Sequence, residues 1–473
     1  MRSQCAIQHV VREVSVAEDR FAPGHLGELT QVVPFEMVDA VLAETRAVQQ
    51  RVRDLPSRVV VYVLLAAALF AECGYRQVWA RLVAGLDGLA VATPSAAALA
   101  AARRRIGAAP LRELFGLLVG SGAGPATKGV WWRGRLVTAV DGTMLCCPDT
   151  AANLAVYRKG GGHHGGTGYP MVRLLALVAC GTRTLLDATF GPTSRGETRY
   201  AADLVARLGP RMGPRMGPRL GPRMGPRMIV LADRNFAAAD LIAAIADTGA
   251  DLLIRVKNGR RLPVCRRYRD GSWLSRIGPV EVRVIHAEIT LTTAQGSRRA
   301  TYQLITTVLD AQCPAAEIVG LYHDRWEIET AYCELKQTIL DGRVLRARTP
   351  AGLEQEIYAL LSAYQAIRIA IADATIGRPE IDPDRGSFTI ALNAARDQLV
   401  KAAGVIAETS LDIVGTIGRQ VLANLLPDRR CRTTPRVVKR AISNYAPKTA
   451  TGRLRGPSQQ ATITITVITG VDP

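Results

Sequence analysis

The fold is decided by residues 228–248, which read MIVLADRNFAAADLIAAIADT. Met228–Ala232 is a continuous apolar run that ends on Asp233, and such a run is typical of a strand buried on both faces. Phe236–Thr248 is rich in Ala and Ile and has the length of a helix. A buried strand followed by a helix predicts an α/β fold.

The segments on either side of this stretch extend the α/β pattern. Glu197–Leu208 predicts a helix, and apolar residues that alternate with polar ones between about 252 and 312 predict a β-rich insertion. Three further strands are predicted at Arg135–Val140, Met171–Ala179 and Thr184–Thr189. The first of them ends on Asp141, so two of the predicted strands end on a carboxylate.

Helical patterns occupy both ends of the chain. Apolar residues have helical spacing from about Leu29 to Leu118 and again from Leu353 to Ala374, and residues 429–455 form a basic tail with Pro and Gly. We therefore predict a helical N-terminal domain (1–128), an α/β domain that contains the insertion (129–350), and a helical C-terminal region with a basic tail (351–473).

The composition indicates a polyanionic partner. The chain has 60 Lys and Arg against 41 Asp and Glu, a formal net charge of +19, which favours nucleic acid. Its nine cysteines form no C-x-x-C pair, so we expect neither a zinc site nor a disulfide framework, and we expect a cytoplasmic protein. The longest apolar run, Val59–Ala71, is too short to span a bilayer, so no membrane partner is expected.

A candidate DNA-binding motif lies in the N-terminal region. Arg103, Arg104 and Arg105 fall in the first of two short helices that are joined by a turn at Gly107. This arrangement favours a helix-turn-helix that contacts DNA through the three arginines. The alternative is an ordinary helical bundle with a solvated basic face.

The segment Ala315–Leu340 predicts one long helix. At about 100° per residue, four side chains fall within an arc of roughly 60°: Tyr322, Arg325, Glu329 and Lys336. The other acids of this part of the helix project away from the arc: Asp324, Glu327 and Glu334. Glu329 is therefore the acid that lies beside the apolar stripe and between cations, although a solvated face of salt bridges would give a similar pattern.

These motifs together resemble one family. Tyr-x2-Arg-x3-Glu-x6-Lys on a helix, after Asp-Gly-Thr (141–143) and Ala-Asp-Arg-x-Phe (232–236) on strands, is similar to the YREK signature of the DDE transposases of the insertion-element-four family. The resemblance runs from about Leu29 to about Asn444 and includes Tyr169–Arg173 and Gly196-Glu197. The chain departs from the family at Asn235, where Gly is common.

The resemblance implies an RNase H-like catalytic core with the β-rich insertion between the second and third acids. It implies two Mg²⁺ ions, for which Mn²⁺ can substitute, held by Asp141, Asp233 and Glu329, because oxygen ligands suit these ions. By the same resemblance, DNA phosphates near the cut are held by Tyr322, Arg325 and Lys336. If the reaction passes through a hairpin with a flipped base, the candidate aromatic for stacking is Trp273 in the insertion.

The implied function is DNA transposition. The enzyme would bind the terminal inverted repeats of an insertion sequence, cut the DNA and transfer strands to target DNA, acting as a homodimer on DNA in association with the nucleoid. A nuclease that cuts without joining shares the same acids, and a decayed copy that only binds DNA is a second alternative. Five tandem tetrapeptides of the type Gly-Pro-Arg-Met at 209–228 bear on that second alternative, although replication slippage in a surface loop explains them more simply.

Overall fold

The computed structural model describes residues 24–51, 53–86, 89–160, 168–209, 224–294, 296–402, 414–428 and 462–468, and four short pairs at 432–433, 437–438, 446–447 and 459–460. Most of the tetrapeptide array (210–223) and most of the predicted basic tail lie outside the described residues.

Helices come first along the described part of the chain, mixed strands and helices follow, and helices again precede the last short strands. The α-helices are α1 (Phe35–Glu44), α2 (Ser57–Leu69), α3 (Tyr75–Val83), α4 (Ala96–Ile106), α5 (Ala109–Leu118), α6 (Ala151–Leu154), α7 (Glu197–Leu208), α8 (Ala239–Ala246), α9 (Ala315–Leu321), α10 (Trp326–Cys333), α11 (Pro350–Thr375), α12 (Phe388–Val400) and α13 (Gly415–Ala423). The strands are β1 (Trp131–Trp132), β2 (Arg135–Cys146), β3 (Met171–Ala179), β4 (Leu185–Pro192), β5 (Met228–Ala232), β6 (Asp251–Val256), β7 (Arg266–Arg267), β8 (Trp273–Ile277), β9 (Val280–Thr293), β10 (Gly296–Thr306), β11 (Arg432–Thr433), β12 (Val437–Val438), β13 (Ala446–Pro447), β14 (Gln459–Gln460) and β15 (Thr462–Val467).

The chain forms two compact units. The first contains the described residues of Met1–Met224 and Trp326–Leu425. In it β2, β3 and β4 form an antiparallel sheet, in which Asp141 lies directly opposite Ala176. The long apolar helix α11 packs against α5, α2 and α13, so helices from the N-terminal and C-terminal regions share one core. Burial of this apolar surface is the main force that stabilises the unit.

The second unit contains the described residues of Gly225–Arg325 and Leu426–Pro473. Its first two strands, β5 and β6, are parallel, and the sheet continues in the order β6, β10, β9, β8, β7 with antiparallel pairing. The C-terminal strand β15 pairs with β9. The predicted buried strand at Met228–Ala232 and the predicted β-rich insertion are both confirmed.

Two predictions about local structure are wrong in detail. Asp141 does not end its strand, because β2 continues to Cys146 through pairing with the first half of β3. The segment Ala315–Leu340 is helical but is not one α-helix. It passes from α9 through a 3₁₀ turn (Tyr322–Arg325) and α10 to a π-helix (Glu334–Ile339), in which the Leu340 N–H donates to the carbonyl of Leu335 five residues back.

The three-domain division by sequence stays a prediction, since the two compact units divide the chain at other positions. Within the described ranges, none of the helices combines the length and the apolar character needed to cross a membrane.

Candidate active site

Asp141 lies in the middle of β2 and is half-buried. The glycine after it leaves room for a neighbouring side-chain carboxylate, which any Cβ there would displace. A Cβ built on Gly142 would lie 2.8 Å from Oε1 of Glu197, and that oxygen is held by Nη1 of Arg173 at 2.5 Å. The sequence contained these residues in the family pattern, but it gave no signal for the role of the Arg173–Glu197 pair.

Replacing Gly142 with Ala is expected to lower the free energy of unfolding by about 1–3 kcal/mol, because the new methyl group displaces the paired Glu197 carboxylate. The double substitution Gly142→Ala, Glu197→Ala should cost less than the sum of the two single substitutions. Urea denaturation of the four proteins measures this difference, and strict additivity would show that the two residues do not compete for space.

Two side chains tie the segment that carries Glu329 to the strand that carries Asp141. The Tyr332 hydroxyl donates to the Asp141 carbonyl at 2.6 Å and accepts from the Ala176 N–H at 3.0 Å. Lys336 Nζ donates to Thr143 Oγ1 at 3.2 Å, and Thr143 is on the same face of β2 as Asp141. Burial, with the nearby Asp141 carboxylate, raises the pKa of Tyr332 well above its ordinary value, so its hydroxyl stays protonated and able to donate.

Two other acids of this segment, Glu327 and Glu334, take part in an ion cluster with buried arginines. Arg183 is fully buried, and its Nε donates to Glu327 at 2.6 Å while its Nη1 donates to Glu334 at 3.2 Å. Arg368, also fully buried, pairs with both oxygens of Glu334. Glu334 is buried by these contacts, whereas Glu327 and the predicted ligand Glu329 are both half-buried.

Asp233 follows β5 in the second unit. Its carboxylate caps the 3₁₀ turn Arg234–Phe236 by accepting from the Asn235 N–H at 2.8 Å. The Tyr322 hydroxyl donates to the carbonyl of Ala232, the residue before Asp233, at 3.3 Å. Burial raises the pKa of Tyr322 to about 12, so this hydroxyl also remains a donor.

The predicted DNA-contacting residues differ in exposure. Tyr322 is 5% exposed and Arg325, whose guanidinium carbon lies 5.9 Å from the Tyr322 ring, is 8% exposed, whereas Lys336 is half-buried. Their contacts with DNA stay a prediction. Trp273 is 3% exposed and packs edge-on against His286, and base stacking on its ring stays a prediction.

The three arginines of the N-terminal triplet also differ in exposure and in their contacts with the protein. Arg103 stacks on the ring of Tyr75 at 3.7 Å, and Arg105 donates to the carbonyl of Leu55 at 2.6 Å, whereas Arg104 is exposed. Gln355 of α11 donates to the carbonyl of Gly107 at 2.6 Å, in the turn between α4 and α5. The turn is therefore packed against α11, and DNA binding by the triplet stays a prediction.

The three predicted metal ligands are distributed over the two units. Asp141 and Glu329 belong to the first unit and Asp233 belongs to the second. Within the described ranges, no group of three or more His, Cys, Asp or Glu side chains is placed so that it could hold a metal ion. The assignment of the three carboxylates as metal ligands thus stays a prediction, while their oxygen chemistry fits a divalent ion such as Mg²⁺.

Comparison with known families identifies two regions. Residues 23–116 match the model of the insertion element 4 transposase N-terminal region, and residues 132–366 match the model of the transposase DDE domain. The second match implies an RNase H-like fold, as predicted. Together the two matches cover most of the chain.

Two relatives from Escherichia coli (strain K12) are similar to this chain. Transposase InsG for insertion sequence element IS4 is 26% identical over 438 residues, which is 87% of this chain and 92% of the relative. The protein named "Putative transposase InsZ" is 25% identical over 228 residues, which is 46% of this chain and 67% of the relative.

Proposed function

Since the chain belongs to the insertion-element-four family of DDE transposases, we propose that it binds the terminal inverted repeats of its element, cuts the DNA there and joins the ends to target DNA. Membership of this family makes the chain a metal-dependent, DNA-cleaving enzyme of transposition. The observation that supports this chemistry most directly is the pair of contacts from Tyr332 and Lys336, which hold the Glu329 segment against the strand of Asp141. A rigid sheet and a packed helix hold carboxylates in fixed positions, as metal chemistry requires.

We assign the divalent ion as Mg²⁺ and its ligands as Asp141, Asp233 and Glu329. Divalent ions held by such carboxylates polarise the attacking oxygen and stabilise the leaving oxygen at phosphorus. The attacking oxygen is that of water or of a DNA 3′-hydroxyl, and its attack breaks the bond from phosphorus to the leaving 3′-oxygen. The cations Arg325 and Lys336 neutralise phosphates beside the cut.

The proposal includes a homodimer on DNA, because the two element ends have to be brought together before they are joined to target DNA. The charge of +19 supports a large contact with phosphates, which makes binding strongly dependent on salt.

Cleavage of DNA that carries the flanking element ends tests the proposal. We expect cutting and strand-transfer products with Mg²⁺ or Mn²⁺, and neither after chelation by EDTA. Asp141→Asn and Asp233→Asn should each remove the activity while DNA binding, measured by gel shift, persists. Cutting without any strand transfer would favour the nuclease, and tight binding without cutting would favour the decayed copy. A variant with the tetrapeptide array shortened to one unit then shows whether the array itself blocks cleavage.

A further inference from the structure

Tyr332 connects the helix that carries one proposed metal ligand, Glu329, to the backbone of another, Asp141. It lies on α10 three residues after Glu329, which corresponds to about 4.5 Å of rise along a helix, and its hydroxyl donates to the backbone of Asp141. It is not part of the Tyr-x2-Arg-x3-Glu-x6-Lys pattern. All of its contacts described here lie within the first unit.

The hydroxyl of Tyr332 lies between two paired strands. Asp141 and Ala176 are directly opposite each other in the β2–β3 pair, and the hydroxyl bridges the Asp141 carbonyl and the Ala176 N–H. Both the donor and the acceptor capacity of the hydroxyl are therefore used at the position of Asp141. Packing alone would need only the ring, which phenylalanine also provides.

A second contact keeps the same helical segment in register with β2. Lys336 bonds to Thr143, two residues beyond Asp141. It lies in the π-helix that follows α10, and single π-turns occur often at functional sites. With two contacts at neighbouring positions of β2, the segment can neither rotate nor slide without breaking one of them.

We propose that Tyr332 is a positioning residue that fixes the backbone of Asp141 relative to Glu329, so that both carboxylates can bind the same divalent ion. This inference rests on the proposed function. Groups that orient metal ligands without touching the metal typically change affinity or activity by 10-fold to about 100-fold when they are removed. Loss of the Tyr332 hydroxyl is expected to have an effect of that size on metal affinity.

The test is the dissociation constant of Mn²⁺ for the full chain, measured by isothermal titration calorimetry. Tyr332→Phe is expected to raise this constant by about 10-fold to 100-fold. The matched control is Tyr62→Phe, since Tyr62 is also fully buried and also donates its hydroxyl to a backbone carbonyl, that of Val33 at 2.8 Å. The control should leave metal affinity unchanged. Equal affinities of native protein, Tyr332→Phe and Tyr62→Phe would overturn the inference.

A second variant distinguishes loss of the hydrogen bond from loss of the fold. Tyr332→4-aminophenylalanine keeps the donor to the Asp141 carbonyl but not the acceptor for the Ala176 N–H, so it should restore part of the lost metal affinity, and circular dichroism checks that each variant is folded. If the native chain binds Mn²⁺ but does not cut DNA, the proposed function fails while the affinities still decide the role of Tyr332. If the native chain cuts DNA, and Tyr332→Phe and Tyr62→Phe cut it with the same Mg²⁺ requirement as the native chain, only the positioning role fails. If the native chain binds no divalent ion, both fail.

Discussion

Replacing Glu329 with Gln is expected to lower metal-dependent cleavage by about 10³-fold or more. A metal ligand supports several kcal/mol of charge stabilisation in the transition state, and each 1.36 kcal/mol corresponds to about a factor of ten in rate. Glutamine has nearly the same shape but no charge, and Glu329 is only half-buried, so the melting temperature should change little. Single-turnover cleavage of end-bearing DNA measures the rate, and differential scanning calorimetry measures the stability.

The matched control for this substitution is Glu354→Gln. Glu354 is also a half-buried helical glutamate of the first unit, and it lies 3.5 Å from Arg112 in an ion pair at the surface. Its substitution should leave cleavage unchanged. If the Glu329 variant cleaved DNA at the rate of native protein, Glu329 would not be a metal ligand, and the third ligand would have to be another residue.

The parts of the fold that sequence predicted correctly depend on local patterns. The strand Met228–Ala232 was recognisable because five consecutive apolar residues are buried on both faces, and all five are buried in the structure. The β-rich insertion was recognisable because alternation of apolar and polar residues favours strands, although β9 itself is buried continuously from Val282 to Ile285 and not on one face only. Neither inference needs knowledge of which elements meet.

The features that sequence missed depend on contacts between distant residues. The helical arc of four residues assumed a constant 100° per residue, but the segment changes to a π-helix at Glu334. This change accompanies side-chain contacts with residues far away in sequence, such as Glu334 with Arg368 and Lys336 with Thr143. The choice of Glu329 by sequence rested on that arc; the structure adds that two of the three competing acids, Glu327 and Glu334, are bonded to buried arginines.

The exposure of Trp273, the stacking candidate that the resemblance implies, could not be read from sequence. Residue 273 pairs with Val284 of β9, and its side chain faces the interior of the second unit. Whether a tryptophan is buried or exposed depends on the register of its strand, since a shift of one residue moves the side chain to the other face.

Replacing Arg183 with Met is expected to lower the free energy of unfolding by about 3–5 kcal/mol, since removing one partner of a buried ion pair leaves uncompensated charges inside the protein. Arg183 is fully buried and contacts Glu327, Glu334 and Asp384, so the methionine would fill much of the volume but leave these carboxylates without their common cation. Chemical denaturation measures the loss.

The control for Arg183→Met is Arg276→Met, which removes the same charge from an exposed pair with Glu281 and should not change stability measurably. The Arg183 variant should also lose cleavage at temperatures well below its unfolding transition, because the same cluster holds the helical segment that carries both Glu329 and Tyr332. A variant of native stability would mean that the three carboxylates take up protons or find other partners, and that the cluster does not determine where Glu329 lies. The position of the proposed catalytic glutamate thus depends on two different sets of contacts, those of its helical segment with the buried arginines and those of the Tyr332 hydroxyl with β2 and β3. The stability and metal-affinity measurements separate them.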